Sequence, residues 1–310
     1  KSLTNTKKKS HLINLERFSW CLYDWAQTTY SANINSFILS VYFIHTIAIN
    51  PNQGMTLWGY ALGLSAFLVA LLSPALGYRI DQNGNRGHWF IILTLLTITF
   101  TFLWWWVYPG SHHVVAFTLI ICIIGNLCFE LASMVYNSML KNLSSEDSVG
   151  RLSGWAYALG YAGSLACLAL CLIVFIKNSF NIPLLQHNYQ NIRIIGPLTA
   201  LWFLLFSLPS FFFINHENVK KTKPNDSSFL QLLTNTWLRI KKLAKNKTLL
   251  YFYLSRMFYI DGLNAIFVFA GPYAQTVFHL TAEQVLFFAI CIQISALIGA
   301  LIFAKLDDHI

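Results

Sequence analysis

SRMFYIDGLNAIFVFA, residues 255 to 270, sets Arg256 and Asp261 inside an otherwise apolar run. LYDWAQTTYS, residues 22 to 31, does the same with Asp24. A charge near the centre of a bilayer costs about 2.5–3.5 kcal/mol on insertion scales, so a membrane helix that keeps one turns it toward protein or water. The chain around these stretches is membrane-like throughout. Of its 310 residues 56% are apolar and 11% charged, against about 25% charged in a soluble domain.

Crossing a hydrocarbon core takes about 20 apolar residues. Eight such runs lie near residues 18–48, 57–78, 89–109, 114–137, 152–176, 194–215, 249–275 and 284–305. The first is too long and too polar inside for a signal-peptide core, and no small-residue cleavage pattern follows it, so it reads as a retained span. Charge fixes the expected topology. With the N-terminus in the cytoplasm, all but three of the 21 Lys and Arg fall on cytoplasmic segments; the exceptions are Lys177 and Arg193 outside and Arg256 within a span. The positive-inside rule therefore places the N-terminus in the cytoplasm and assigns the net charge of +9 to topology and not to a nucleic-acid partner.

The six cysteines all lie within spans without metal-type spacing and read as small apolar fillers. His45, His112, His113, His187 and His279 fall toward the outer face and read as loop histidines, so no metal and no cofactor is expected.

The spans sort by threes. The first, fourth and seventh carry Asp24, Glu130, Arg256 and Asp261; the second, fifth and eighth are rich in glycine, serine and alanine; the third and sixth are apolar and aromatic. Small residues let helices approach closely, and uniformly apolar helices suit lipid. A three-helix unit of this kind is what a transporter built from repeats displays. The repeat is also literal. GYRIDQNG at 77–84 follows the second span and AKLDDHI at 304–310 follows the eighth, so Asp81 and Asp308 occupy equivalent turns, and LYD ending at Asp24 matches YID ending at Asp261. The seventh span thus begins a second copy of the first half. That copy stops inside its repeated turn, which leads us to expect a fragment or truncated product.

The expected organisation is a tail at 1–17, a six-helix bundle at 18–215, a linker at 216–248 and the first two helices of a second bundle at 249–310. Within the linker, Phe229, Leu233, Trp237, Ile240 and Leu243 recur at helical spacing opposite Arg239, Lys241, Lys242 and Lys245, with Ser228 and Gln231 forming a capping box. This is either a cationic amphipathic helix on anionic lipid, over 229–247, or a solvated linker helix.

Asp24, Thr28, Ser31 and Asn35 are spaced 4, 3, 4, and so are Asn126, Glu130, Ser133 and Asn137. At about 100° per residue each set keeps to a narrow arc. Both arcs, with Asn264 of the seventh span, are expected to line one cavity. Asp24, Glu130 and Arg256 lie at similar depth, roughly 10 Å in, so Arg256 is placed to meet Asp24 or Glu130 from the facing half. These groups are either fixed ion pairs or a pathway in which a carboxylate exchanges a proton or a substrate amine. An enzyme reading fails: Asp261, Gly262 and Ala265 match the opening DGxxA of phosphatidyl-transferring membrane enzymes, but Ile266, Gln275, His279 and Glu283 occupy the places where further ligands are required.

GYRIDQNGNR resembles the loop between helices two and three of the major facilitator superfamily, matching at Gly77, Asp81, Gly84 and Arg86 but not at Gln82 or Asn85. LYDWAQTTYS, LLSPALGYRID, VYNSMLKNL, SSEDSVGRLSGWAYALGYAGS, LFSLPSFFF and SRMFYIDGLNAIF, in that order, resemble its vacuolar amino-acid effluxer-like family. Lys141 stands where that family usually has proline, which implies a straighter end to the fourth span. The resemblance implies an all-α fold of two six-helix bundles, with helices one, four and seven lining the cavity. It implies secondary active transport of a small solute, an amino acid with export favoured, coupled to protons, and the compact loops resemble those of bacterial members, which implies a bacterial inner membrane. A non-transporting sensor or an inactive relative is the alternative. Gly77, Asp81, Gly84, Arg86 and Asp308 are the gating-loop candidates.

Overall fold

A backbone in hydrocarbon has to satisfy its N–H and C=O groups within its own segment, which makes each apolar run a helix. The computed structural model describes residues 2–110, 113–144, 149–176, 189–214, 234, 237–238, 241–242 and 245–306, and among these residues it contains eight long helical segments and no strand. The first span runs through Ser2–Tyr30, continues as π-helix over Ser31–Phe37, and ends in Leu39–Tyr42 and Phe43–Ile47. The others are Pro51–Asn83, Arg86–Phe102 with a 3₁₀ turn to Trp106, Val114–Leu143, Val149–Leu170 with a π-helical end, Ile195–Phe213 preceded by Gln190–Arg193, Lys247–Phe278 and Ala282–Leu306. The architecture is an all-α helix bundle, and the protein is a multi-pass membrane protein.

Six of the eight segments are long and apolar enough to cross a membrane: Pro51–Gln82, Arg86–Trp106, Val114–Leu143, Val149–Phe175, Gln190–Phe213 and Ala282–Phe303. The first and seventh are not among them. Those two carry Asp24, Gln27, Asn33 and Asn35, and Arg256, Asp261 and Asn264, which dilute their apolarity. The tail expected at 1–17 is helical from Ser2 and continuous with the first span. Asp308 and most of the expected amphipathic helix at 229–247 lie outside the described residues.

Helix ends are closed locally. Asn50 Oδ1 accepts from Gln53 N at 2.8 Å, with Pro51 at the first turn. Gly84, at φ 67°, ends the second span in the left-handed conformation that glycine adopts without strain. Across the turn, Arg86 pairs with Asp81 at 2.9 Å. The fourth span runs unbroken to Leu143, through Lys141.

The first span packs on the fifth and sixth, the fourth on the second and third, and the third on the sixth. Trp20, Tyr23, Tyr136 and Phe203 form a buried aromatic centre joining the first, fourth and sixth spans, with Trp20 and Tyr136 stacked at 4.5 Å. Glycines set the approach of the fifth span: a Cβ at Gly163 would sit 2.5 Å from the Trp25 ring, and one at Gly160 would sit 2.5 Å from Thr28 Oγ1. Such overpacking costs about 1–3 kcal/mol. Gly163→Leu is accordingly expected to lower thermal stability in detergent, whereas the same change at Gly63, which meets nothing within 4 Å, leaves it unchanged.

The seventh helix is divided. Its residues 251–266 are exposed, whereas Gly271, Pro272 and Ala274 are buried against the outer part of the first span. The eighth helix lies along the fifth, where Gln293 Nε2 donates to Ser164 Oγ at 2.9 Å and both side chains are buried.

Candidate functional site

The first and fourth spans are locked side by side at one end. Arg17 Nε donates to Leu143 O at 2.7 Å, Trp20 Nε1 to Tyr136 O at 3.2 Å, and the Tyr136 hydroxyl to Trp20 O at 3.0 Å. Asp24 lies one turn further in, 4% exposed. Its carboxylate accepts from Gln27 Nε2, and Gln27 Oε1 accepts from Ser133 Oγ at 3.1 Å, so a side-chain chain joins the two spans. Deeper still, Asn35 Nδ2 donates to Asn126 Oδ1 at 2.9 Å and Asn126 Nδ2 to Ser65 Oγ at 3.2 Å, drawing in the second span.

The two polar arcs therefore meet, but they do not line a single cavity along their whole length. Asp24, Asn35 and Asn126 are buried among the first six spans; Thr28, Ser31 and Ser133 are half-buried; Glu130 and Asn137 are exposed. The expectation assumed α-geometry throughout. From Ser31 to Phe37 the span is π-helical, closed by i→i+5 bonds, and Asn35 keeps its contact with Asn126 of the facing arc. Asn33 lies on the other side, where its Nδ2 meets Thr199 Oγ1 at 2.9 Å and Cys167 Sγ at 3.4 Å. Residues 32 to 40 are all buried, so this widened stretch is the packing centre of the first span.

Arg256, Asp261 and Asn264 all stand exposed on the free half of the seventh helix. Arg256 makes no ion pair within 4.0 Å with Asp24 or Glu130, so the expected pairing is not made in this conformation.

At the other end the halves touch. Backbone meets backbone where Gly271 lies on Ser36 O and Phe37, and a Cβ there would be 3.1 Å from Phe37 Cα. His45 Nε2 is 3.3 Å from Thr276 Oγ1. His45 is therefore no loop histidine, because the first span stays helical to Ile47 and carries it to the seventh helix. Of the gating-loop candidates, Gly77, Asp81 and Arg86 line a cavity of about 400 Å³ with Ser138, Lys141 and Asn142 of the fourth span, and Gly84 ends the helix beside it.

Gln27, Tyr136, Asn33, Ser65, Ser164 and Gln293 are polar contacts missing from the sequence-based set. Only Gln27 carried a signal, three residues after Asp24 and hence on the same helix face.

Residues 41–310 match the family described as "Vacuole effluxer Atg22 like". The MFS-type transporter YxiO of Bacillus subtilis (strain 168) is 23% identical over 299 residues, covering 94% of this chain and 67% of that protein. Autophagy-related protein 22 of Kluyveromyces lactis is 23% identical over 200 residues, covering 58% of this chain and 39% of its own length. An Aquifex aeolicus (strain VF5) relative is matched over 60% of its length, so the chain spans between 39% and 67% of these relatives. Among solved structures, the partially occluded inward-open xylose transporter XylE from E. coli aligns with a TM-score of 0.55 at 16% identity, covering 91% of this chain and 70% of that one. A D-xylose-proton symporter aligns with a TM-score of 0.52 at 17% identity, over 91% and 65%. These likenesses identify the helix bundle as that of the major facilitator superfamily.

Proposed function

The chain belongs to the vacuole effluxer Atg22-like family of the major facilitator superfamily, and from that premise we propose that it works as a secondary transporter, moving a small solute by alternating access. Residues 18–215 form the first half, 216–248 the linker, and 249–310 the opening helices of the second half. The N-terminus lies in the cytoplasm of a bacterial inner membrane, following the distribution of Lys and Arg. The single observation that carries the reading is the closed end of the major facilitator-type helix bundle, where the seventh helix lies on the first span at Gly271 and Thr276. We read that end of the pathway as the shut one, with the other open to the cytoplasmic side.

The solute would lie between Glu130 on the fourth span and Arg256, Asp261 and Asn264 on the seventh. A carboxylate facing a guanidinium suits a zwitterion, and an amino acid, exported, is the cargo we favour. Asp24 is the group we assign to proton coupling. Anionic lipid would meet the lysines of the linker. Reconstituted protein offered a panel of labelled amino acids, with and without a pH gradient, is expected to move at least one of them faster with the gradient. Binding without flux would instead make the protein a sensor.

A further inference from the structure

Where the two halves meet at the closed end, their surfaces do not fill the space between them. A cavity of about 220 Å³ remains. The first span supplies Phe37, Val41 and Tyr42 to its wall, the segment before the sixth span supplies Tyr189, and the seventh and eighth helices supply Gln275 and Leu286. Both halves therefore build it, and any motion that parts them takes it apart. Phe37, Val41 and Leu286 are buried apolar side chains, and the rings of Tyr42 and Tyr189 lie 5.8 Å apart. Two polar groups of the wall are engaged: the Tyr42 hydroxyl donates to Val107 O at 3.1 Å, and His45 Nε2 lies 3.3 Å from Thr276 Oγ1. Gln275 is different. Its Oε1 is buried without a hydrogen-bond partner, a costly state for a polar atom.

Water answers this demand poorly. At about 30 Å³ of liquid volume each, roughly seven waters would fill the space, and each wants two to four polar partners, which a wall of aromatic and aliphatic side chains does not offer. One substituted ring fits better, since benzene occupies an apolar cavity of about 150 Å³. A hydroxyl on that ring donates to Gln275 Oε1, and it would accept equally well with the amide turned over, so the match holds in either orientation. Phe37, Tyr42 and Tyr189 add ring contacts. Among the described residues the lining holds no carboxylate, lysine or arginine, so the occupant is uncharged.

We propose that this cavity binds a small neutral phenol and that the bound molecule holds the closed end shut. Asp261 and Gln275 are 14 residues apart on one helix, about 21 Å at 1.5 Å per residue, so the site is separate from the solute position. A ligand that binds one of two conformations draws the protein into it. The occupant is therefore an inhibitor, and this effect rests on the transporter reading above, which it deepens.

The test uses the full protein in lipid nanodiscs with para-fluorophenol as the probe, its binding read by fluorine NMR against empty nanodiscs. Wild-type protein is expected to add a saturable component. Gln275→Leu keeps the bulk of the side chain without its polar end and should weaken binding by about fivefold or more. Fluorobenzene, the ring without the hydroxyl, should bind wild type and Gln275→Leu alike. Val41→Phe puts a ring into the space and should abolish binding of both probes; Ala282→Trp, at an exposed residue of the lining, serves the same end if Val41→Phe does not fold. Spin labels on the outer ends of the first and seventh helices, with Cys291 replaced by serine, should show the short distance gaining population as para-fluorophenol is added. Solute flux should fall by about fivefold or more, and Gln275→Leu should resist both effects at the same concentration. Absent saturable binding, or binding that survives the filled cavity, overturns the site. Equal loss of both probes in Gln275→Leu, or of neither, overturns the contact with the hydroxyl and hence the phenol. Saturable binding with unchanged distances overturns the hold on the closed end. Flux without any probe judges the transporter reading separately: its absence in wild type removes that reading, while the binding measurements still decide the site.

Discussion

Asp24→Asn is expected to lower solute flux by roughly a hundredfold, about 2.7 kcal/mol on the rate-limiting step, with an unchanged amount of folded protein in the membrane. The two parts of that result have separate causes. Asparagine has the shape of aspartate and keeps a carbonyl oxygen that can accept from Gln27, so the contact that holds the first span to the fourth survives. What is lost is the ability to change charge. Asp261→Asn is expected to behave alike for a different reason: Asp261 is exposed on the free half of the seventh helix, so no packing depends on it. A merely structural ion pair predicts the opposite pattern, with reduced folded protein and near-normal flux per folded molecule. Wild-type flux in both variants would remove the carboxylates from the mechanism.

The second large effect is expected at Gly271. Any side chain there overlaps Ser36 O and Phe37 in the closed end. With backbone on both sides of the contact, there is no flexible side chain to move aside. Overpacking of about 1–3 kcal/mol acts on this conformation alone if, as proposed, alternating access separates these surfaces in the opposite one. Gly271→Leu should shift the ratio of the two conformations by roughly 5- to 150-fold, read as a longer distance between spin labels placed on the outer ends of the first and seventh helices. Pro272, next in sequence, lies inside the continuous helix Lys247–Phe278 and has no N–H to give to its ladder. Unchanged distances in Gly271→Leu would mean that the close approach is not part of a gate.

The polar character of the first and seventh spans was legible from the sequence because charge in an apolar run is conspicuous, and the meeting of the first and fourth spans followed from their matching 4, 3, 4 spacings. The contacts of Asn33 were not legible. They depend on the π-helical turns at 31–37, which the residues SANINSF do not announce, and on packing of that stretch against the fifth and sixth spans. Nor was the contact of His45 with Thr276, because it joins residues 231 positions apart and exists only when the two halves close at that end. Helix periodicity reports which face is polar; it does not report which polar residues face each other across two helices, as the Gln293 to Ser164 bond illustrates.

The central claim is a water-filled space between the first, fourth and seventh helices, open on the side of the Arg86 turn. Its most direct test replaces Glu130 and Asp261 by cysteine, one at a time with Cys291 replaced by serine, and applies a membrane-impermeant thiol reagent to each side of oriented vesicles. Both positions are expected to react from the cytoplasmic side and to be protected when transported solute is present. Cysteines that react from neither side would place those positions among acyl chains or in solid packing, and would contradict the account.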